Sequence, residues 1–360
     1  MTAPKSPATP PRSKWGDRNT LRTVTTIALT VIGAAAAWYL LIQLAPLLRP
    51  LLIAVFLAYV LMPYHSRLRR HVGTPASIVI LAGSTAGVLV LLAFITYASV
   101  LALTDELPRL QKRAHELLQD AEHSVTTTAP WIKPADGGKS AEEQMTEQMT
   151  QVARPVLNAA AGVVLEACVV ALYLLFLLLE GSRFPDRVRR AYPPERADEI
   201  LQIAGEVSSA IISYLKAKVK SSLVLAVPVG IVLWIVGVKF ALLWALLTFL
   251  CNFIPYIGSV VAYTLPVAFA FLWYGPTWEP FAAAGLLLAC HVLSASIFEP
   301  LIIGKAVGVS PLVILGSLAF WGLLWGIAGM FLAVPLTVVT ILVMDHFDQT
   351  RPIARLFKEG

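Results

Sequence analysis

Residues 240–274 read FALLWALLTFLCNFIPYIGSVVAYTLPVAFAFLWY, a long apolar run with a polar interruption between Asn252 and Gly258. A membrane-spanning helix needs about 20 residues, so this run is too long for one span and too short for two. Pro255 lacks an N–H and clashes with the preceding helical turn, and Gly258 permits backbone angles that other residues avoid. The pattern predicts two half-helices that meet at a polar tip, forming a re-entrant hairpin.

A second apolar run, residues 311–344, has the same character. It is interrupted by Gly322, Gly326, Gly329 and Pro335. Two interrupted hydrophobic segments in corresponding positions are the best sequence indicator of a binding site in secondary transporters. A kinked long helix in each place is the alternative, because Gly and Pro are ordinary in membrane helices. We favour six full spans plus two re-entrant hairpins, and kinked helices would give eight spans.

The composition is that of an all-α polytopic membrane protein. The chain is 57% hydrophobic and 14% charged, which excludes a soluble globular protein. Its net charge of +6 comes from basic residues beside apolar runs, as in a membrane protein with positive cytoplasmic loops, and it does not indicate nucleic-acid binding. The three cysteines lie in apolar runs without metal-site spacing, so we expect free, buried thiols.

The order of charged and apolar segments predicts the organisation of the chain. We expect a disordered cytoplasmic tail at 1–23, three spans within 24–104, extracytoplasmic amphipathic helices at 105–154, a fourth span at 155–180, a cytoplasmic interfacial helix at 181–220, a transport core at 221–346 and a cytoplasmic tail at 347–360. Residues 46–50 predict a tight turn, and 299–311 a short loop. Lys216, Lys218 and Lys220 are interpreted as facing anionic lipid.

The chemistry expected of an enzyme is missing from the sequence. No GxxxxGK[ST] loop, HExxH or CxxC motif occurs, so we expect neither an enzyme nor a cofactor or metal site. Glu166 lies in the predicted fourth span, and an acid inside a span is a functional hypothesis by default. The alternative is that Glu166 lies near the outer headgroups or pairs with a neighbouring helix.

The two interruptions supply the candidate site. Half-helix N-termini, unwound carbonyls and Asn252 offer polar contacts to a small solute. Tyr256 and Trp325 can stack on such a molecule, although packing is the commoner role of aromatic side chains. The candidate substrate-binding residues are Asn252, Pro255, Tyr256, Gly258, Trp325, Gly326, Gly329 and Pro335, and the candidate coupling residues are Glu166, Glu299 and Lys305. The Lys305 loop is expected inside with hairpins and outside with eight spans.

Several blocks of this sequence resemble the autoinducer-2 exporter family, also called PerM-like permeases. The blocks are GVKFALLW at 237–244, NFIPYIG at 252–258, EPLIIG at 299–304, SP at 310–311, WGIAG at 325–329 and VPL at 334–336. The resemblance implies a multi-pass permease of the bacterial inner membrane that exports small polar solutes, with both termini cytoplasmic. It also implies two hairpins that form the site, an elevator-like movement and a pentameric homo-oligomer.

The resemblance leaves the substrate open. The family often has Pro where this chain has Ser259, and Gly-Gln where it has Ala217-Lys218. Some relatives are associated with the autoinducer-2 signal and others with sodium–proton exchange. Two functions therefore stay open: export of a small polar solute, and cation–proton antiport in which Glu166 or Glu299 carries a proton.

Overall fold

The protein, described by a computed structural model over residues 18–106, 108–110, 112–113, 116, 119, 141–181, 183–303 and 308–358, is helical. Across these residues the only strand-like feature is an isolated β-bridge between Val309 and Lys358. The helices are α1 (Arg18–Gln43), α2 (Ala45–Val72), α3 (Thr74–Asp105), α4 (Ala141–Gly181), α5 (Phe184–Ala191), α6 (Pro194–Val236), α7 (Ala241–Cys251), α8 (Ile257–Tyr274), α9 (Trp278–Leu293), α10 (Glu299–Ile303), α11 (Pro311–His346) and α12 (Arg351–Phe357).

Eight helical segments of the described chain are long and apolar enough to cross a membrane. They are Arg22–Gln43, Ala45–His65, Thr74–Asp105, Ala161–Gly181, Pro194–Val236, Ile257–Tyr274, Trp278–Ile302 and Pro311–His346. α7 is apolar but shorter. The expectation of an all-α polytopic membrane protein is confirmed.

Packing divides the chain into two units, Met1–Leu47 and Leu48–Gly360. α1 belongs to the first unit, and the helices that carry the candidate site belong to the second. Within the second unit, α2, α3 and α4 pack through a group that we call the scaffold cluster: Ala54, Ala58, Ile78, Ala82, Val170, Leu174 and Leu178. Its alanines let the helix backbones approach closely, as is typical of packing between membrane helices.

A second group, the hairpin-base cluster, joins α6 to α7, α8 and α9. Its buried members are Leu110, Leu225, Val229, Leu233, Val236, Val238, Trp244, Phe269, Ala270, Ala283 and Leu287. The α6 members recur at three- and four-residue spacing, which places them on one face of the helix. The scaffold and hairpin-base clusters share no buried residue among those described.

The first interrupted segment is a helical hairpin, as predicted. The rings of Trp244 on α7 and Phe269 on α8 lie 5.3 Å apart between centroids, whereas a continuous helix would separate these residues by about 37 Å. At the turn, a Cβ on Gly258 would lie 1.7 Å from the carbonyl oxygen of Cys251. Only a glycine therefore lets the chain reverse this tightly.

The second interrupted segment, α11, also folds back on itself. The Ser317 hydroxyl donates to the carbonyl oxygen of Ala333 at 3.1 Å, although sixteen intervening helical steps would span about 24 Å. The reversal occurs at Gly326, whose φ of 64° and ψ of −141° are not helical. A Cβ on Gly329 would lie 1.9 Å from the carbonyl oxygen of Trp321, so the two arms are in backbone contact. These contacts rule out a straight, merely kinked helix.

The structure corrects several sequence interpretations. α2 begins at Ala45 and contains Pro50, so residues 46–50 are not a turn outside the helix. α6 runs unbroken across residue 220, so the predicted interfacial helix and the fifth span form one helix. Lys218 does not face lipid: it is 4% exposed, because the register of α6 directs it into the protein. The cysteines are not buried as expected, since Cys168 is exposed and Cys251 and Cys290 are half-buried.

The predicted loop at 299–311 and the predicted outer segment at 105–154 also differ from the structure. Glu299–Ile303 is helical and follows a π-helical turn at Ser294–Phe298, so Glu299 is held by helical backbone. α4 continues without a break from Ala141 into the predicted fourth span. Residues 120–140 lie outside the described residues, and they include the loop expected between the amphipathic helices. Residues 1–17 of the predicted tail also lie outside the described residues.

Candidate transport site

The tips of the two hairpins meet. The ring of Phe253, in the turn between α7 and α8, stacks on Phe331 of α11 with 4.6 Å between centroids and 23° between planes. Ile254 packs in one buried group with Leu318 and Ala333, which come from opposite arms of the second hairpin. The turn of the first hairpin is therefore seated against both arms of the second.

A polar contact ties the same turn to α6. The Asn252 side chain is 6% exposed, and its Nδ2 donates to the Oγ of Ser222 at 3.0 Å. Ser221 is also buried, and its Oγ has no hydrogen-bond partner among the described residues. Because buried hydroxyl and amide groups are costly unless they are hydrogen-bonded, this cluster is suited to a polar ligand.

An ion pair lies one helical turn from Ser222 along α6. The Lys218 Nζ lies 2.9 Å from Oε1 of Glu299, the first residue of α10. The lysine side chain is 5% exposed and the glutamate side chain 36% exposed, so the acid reaches the protein surface and the base does not. Residues four apart share a helix face, so Lys218 and Ser222 lie side by side. The arrangement places the Lys218–Glu299 ion pair beside the hydrogen bond between Asn252 and Ser222.

The backbone of the first tip is strained. Tyr256 has φ 64° and ψ −61°, and the carbonyl oxygen of Pro255 accepts a hydrogen bond from the N–H of Ile257 at 2.7 Å. This is a γ-turn with a positive central φ, a rare and strained conformation for a residue with a side chain. The Tyr256 side chain is 56% exposed, so burial does not stabilise the strain. Strain of this kind often accompanies a site that binds or moves.

The predicted binding residues differ in how deeply they are buried. Asn252 and Gly258 are buried in the first tip, and Pro255 is half-buried there. In the second hairpin, Trp325, Gly329 and Pro335 are buried, and Gly326 is exposed. Trp325 packs against the ring of Trp321, 4.9 Å away between centroids, which fits its packing role.

The three candidate coupling residues have different surroundings. Glu299 forms the ion pair with Lys218. Glu166 is half-buried on α4, among the helices of the scaffold cluster, and it makes no hydrogen bond or ion pair with another described residue. Lys305 lies outside the described residues. Only Glu299 is therefore placed beside the hairpin tips by a described contact.

Sequence reasoning missed Lys218 and Ser222 as members of this site. Both belong to a row that begins at Tyr214 and repeats every four residues, and all three are buried. The same helix face continues, after a step of three residues, into Leu225 and Val229 of the hairpin-base cluster. The polar row therefore extends an apolar stripe that is visible in the sequence. The described residues contain no group of three or more His, Cys, Asp or Glu residues able to hold a metal ion.

Comparison with known proteins agrees with this architecture. The family described as AI-2E family transporter matches residues 27–349. The chain is 30% identical to "AI-2 transport protein TqsA" of Escherichia coli strain K12 over 327 residues, covering 88% of this chain and 90% of that protein.

Two further relatives of the same strain match over most of their length. One, named "Putative transport protein YhhT", is 28% identical over 360 residues, covering 98% of this chain and 97% of that protein. The other, named "Putative permease PerM", is 27% identical over 329 residues, covering 87% and 90%. Together with eight apolar helices and two hairpins that meet at their tips, these matches show that the chain is a membrane transporter belonging to the AI-2E family.

Proposed function

We propose that this protein exports a small polar solute through a site between its two hairpin tips. The observation that carries the proposal is the seating of Asn252 and Phe253 against Ser222 and Phe331. The polar groups at this contact are amides and hydroxyls, which favour a neutral, hydroxylated ligand over an ion. In other transporters, interrupted helices of this kind mark the substrate site.

The proposed mechanism is an elevator-like movement of the hairpins against α2, α3 and α4. The scaffold cluster comes from α2, α3 and α4 and the hairpin-base cluster mainly from α6 to α9, which supports two bodies that touch where Leu103 of α3 packs against the hairpin base. Between α3 and the hairpin base, Lys239 pairs with Glu106 at 3.0 Å, with both side chains partly exposed. An exposed pair of this kind is worth about 0.2–1 kcal/mol, so it can break as the bodies move.

The proposed location is a bacterial inner membrane with both termini in the cytoplasm. Basic clusters lie at the C-terminal end of α2, at Arg67, Arg69 and Arg70, and after α4, at Arg183 and Arg187, in agreement with a cytoplasmic side. In this orientation the first hairpin enters from the outer face and the second from the inner face. Their tips then overlap at mid-membrane depth, where an alternating-access site is expected.

Autoinducer-2 is the solute that we propose to test first. The relative named "AI-2 transport protein TqsA" shares 30% identity with this chain over nearly its whole length. We also propose that the protein is a homo-oligomer, a pentamer by family resemblance. Mass measurement of the purified protein in a detergent micelle tests the pentamer, and a monomeric or dimeric mass would contradict it.

The test of the transport proposal is flux of labelled autoinducer-2 in proteoliposomes. Wild-type protein should give saturable flux, and Asn252→Ala and Ser222→Ala should each reduce it at least tenfold, because each removes one side of the tip contact. Thr96→Ala is the matched control, since its hydroxyl bonds only to its own helix at Leu92 in the described contacts. Unchanged flux in both tip variants would contradict the proposed site.

Cation–proton antiport is the second candidate function, and the Lys218–Glu299 pair favours it. A carboxylate beside a buried lysine, reached by solvent, can exchange a proton for a cation. If sodium or proton flux occurs without solute flux, Glu299→Gln should abolish that ion flux. Glu166→Gln should abolish it only if Glu166 carries the proton. Solute flux that survives Glu299→Gln would favour the exporter without proton coupling.

A further inference from the structure

A cavity of about 480 Å³ opens at the base of the first hairpin, away from its tip. It is lined by Arg109, Leu110, Lys112, Arg113, Glu116, Lys239, Leu272 and Trp273. Trp273 lies fifteen helical steps from Gly258 along α8, so the cavity is about 23 Å from the tip. It is therefore distinct from the site proposed between the hairpins, and its volume is in the range of small-molecule pockets.

Positive charge dominates this cavity. Among the residues that the structure describes, four cationic side chains line it, and the carboxylates that contact them are Glu116 in the lining and Glu106 beside it. Arg113 pairs with Glu116 at 2.8 Å, and Glu106 lies 3.0 Å from Lys239 and 3.7 Å from Arg109. Four cations against two acids leave an excess of positive charge that attracts an anion.

The cations are held in place by an aromatic ring and by a tight backbone. Lys239 Nζ lies 4.2 Å from the centroid of the Trp273 ring, and the Arg109 guanidinium lies 5.5 Å from it. Cations over an indole face are stabilised by the ring quadrupole. Gly275 has φ +71°, and a Cβ there would lie 2.8 Å from Nη2 of Arg113. Two of the four lining cations, Arg109 and Lys239, are therefore positioned against the indole ring.

We propose that this cavity binds a phosphate ester, either an anionic phospholipid headgroup or a soluble phosphorylated compound. Two guanidinium groups and two ammonium groups around one cavity match the several oxygens and the charge of a phosphate. A carboxylate ligand would use fewer of these donors. The lining comes from the segment after α3, from the α6–α7 connection and from the end of α8, so a bound phosphate joins the scaffold side to the hairpin base.

The test measures binding to the purified full-length protein in detergent, independently of transport. The probes are dioctanoyl phosphatidylglycerol, dioctanoyl phosphatidylcholine and glycerol 3-phosphate, titrated by calorimetry. Phosphatidylglycerol should bind at least tenfold more tightly than phosphatidylcholine, because the zwitterionic headgroup gains less from the excess positive charge. Binding of glycerol 3-phosphate as tight as the lipid would identify a soluble ligand, and lipid binding alone would identify a headgroup.

Two variants locate the binding. Arg109→Gln/Lys112→Gln removes two exposed lining cations and should weaken binding at least tenfold. The matched control is Arg67→Gln/Arg70→Gln, which removes two exposed cations elsewhere and should leave binding unchanged. Lys112→Gln alone serves if the double variant unfolds. Equal binding by wild type and lining variants, or no phosphate-dependent binding by wild type, would overturn the proposal.

Discussion

The ion pair between Lys218 and Glu299 has an asymmetry that mutation can measure. The lysine side chain is 5% exposed and the glutamate side chain 36% exposed, with 2.9 Å between their charged atoms. Removing the acid leaves a buried cation without a partner, and such a charge costs about 3–5 kcal/mol. Removing the lysine leaves a carboxylate that is already partly exposed at the protein surface, and exposed pairs contribute only about 1 kcal/mol or less.

We therefore expect Glu299→Ala to lower the unfolding free energy by about 3 kcal/mol, the lower end of that range because solvent reaches the pair from the side of the acid. Lys218→Met should cost about 1 kcal/mol. The double variant should cost less than Glu299→Ala alone, because it contains no unpaired buried charge. Such non-additivity is what a double-mutant cycle detects for residues in contact.

The assay is thermal unfolding of the purified protein in detergent, followed by tryptophan fluorescence. At about 2 °C per kcal/mol, the Tm should fall by about 6 °C for Glu299→Ala and about 2 °C for Lys218→Met. Lys216→Met, which removes an exposed lysine from the same helix, should leave the Tm unchanged. Equal losses in the two single variants, or strictly additive losses in the double variant, would refute the reasoning.

Three further substitutions test the two hairpin turns by the same thermal assay. Gly258→Ala and Gly329→Ala should each lower the Tm by about 2–6 °C, since the new Cβ would lie 1.7 Å and 1.9 Å from a carbonyl oxygen and must push the arms apart. Gly316→Ala is their control, because no heavy atom lies within 4 Å of its Cβ position; an equal loss there would show that the close approach is not the cause. Tyr256→Gly should raise stability by about 1 kcal/mol, because it relieves a positive φ of 64° at an exposed side chain, and a lower Tm would contradict the strained turn.

The hairpins could be predicted from the sequence because their interruptions are local. Pro255 prevents a continuous helix, Gly258 accepts the close approach to Cys251, and both act within a few residues of the turn. In the second hairpin, Gly326 supplies the positive φ that reverses the chain. The lengths of the apolar runs on either side of each turn then determine the lengths of the two arms. Neither the turn residues nor the run lengths depend on distant parts of the chain.

The neighbours of the first tip could not be predicted, because they depend on helix register and on distant contacts. The alternation of Lys216, Lys218 and Lys220 suggested a lipid-facing surface, but only Lys218 falls on the buried face of α6. Its partner, Glu299, is eighty-one positions away along the chain. Glu299 also follows a π-helical turn that no residue pattern predicts. Turns of this kind shift the register of everything that follows, and they often occur at functional sites.

The most direct test of a site between the hairpins is to lock their tips together and measure flux. In a variant without native cysteines, Phe253→Cys/Phe331→Cys places thiols where the two rings stack 4.6 Å apart. A short bifunctional thiol reagent should join them, stop autoinducer-2 flux in proteoliposomes, and release it again on cleavage of the linker. Flux that continues at full rate through the linked protein would contradict a solute site that opens between the tips.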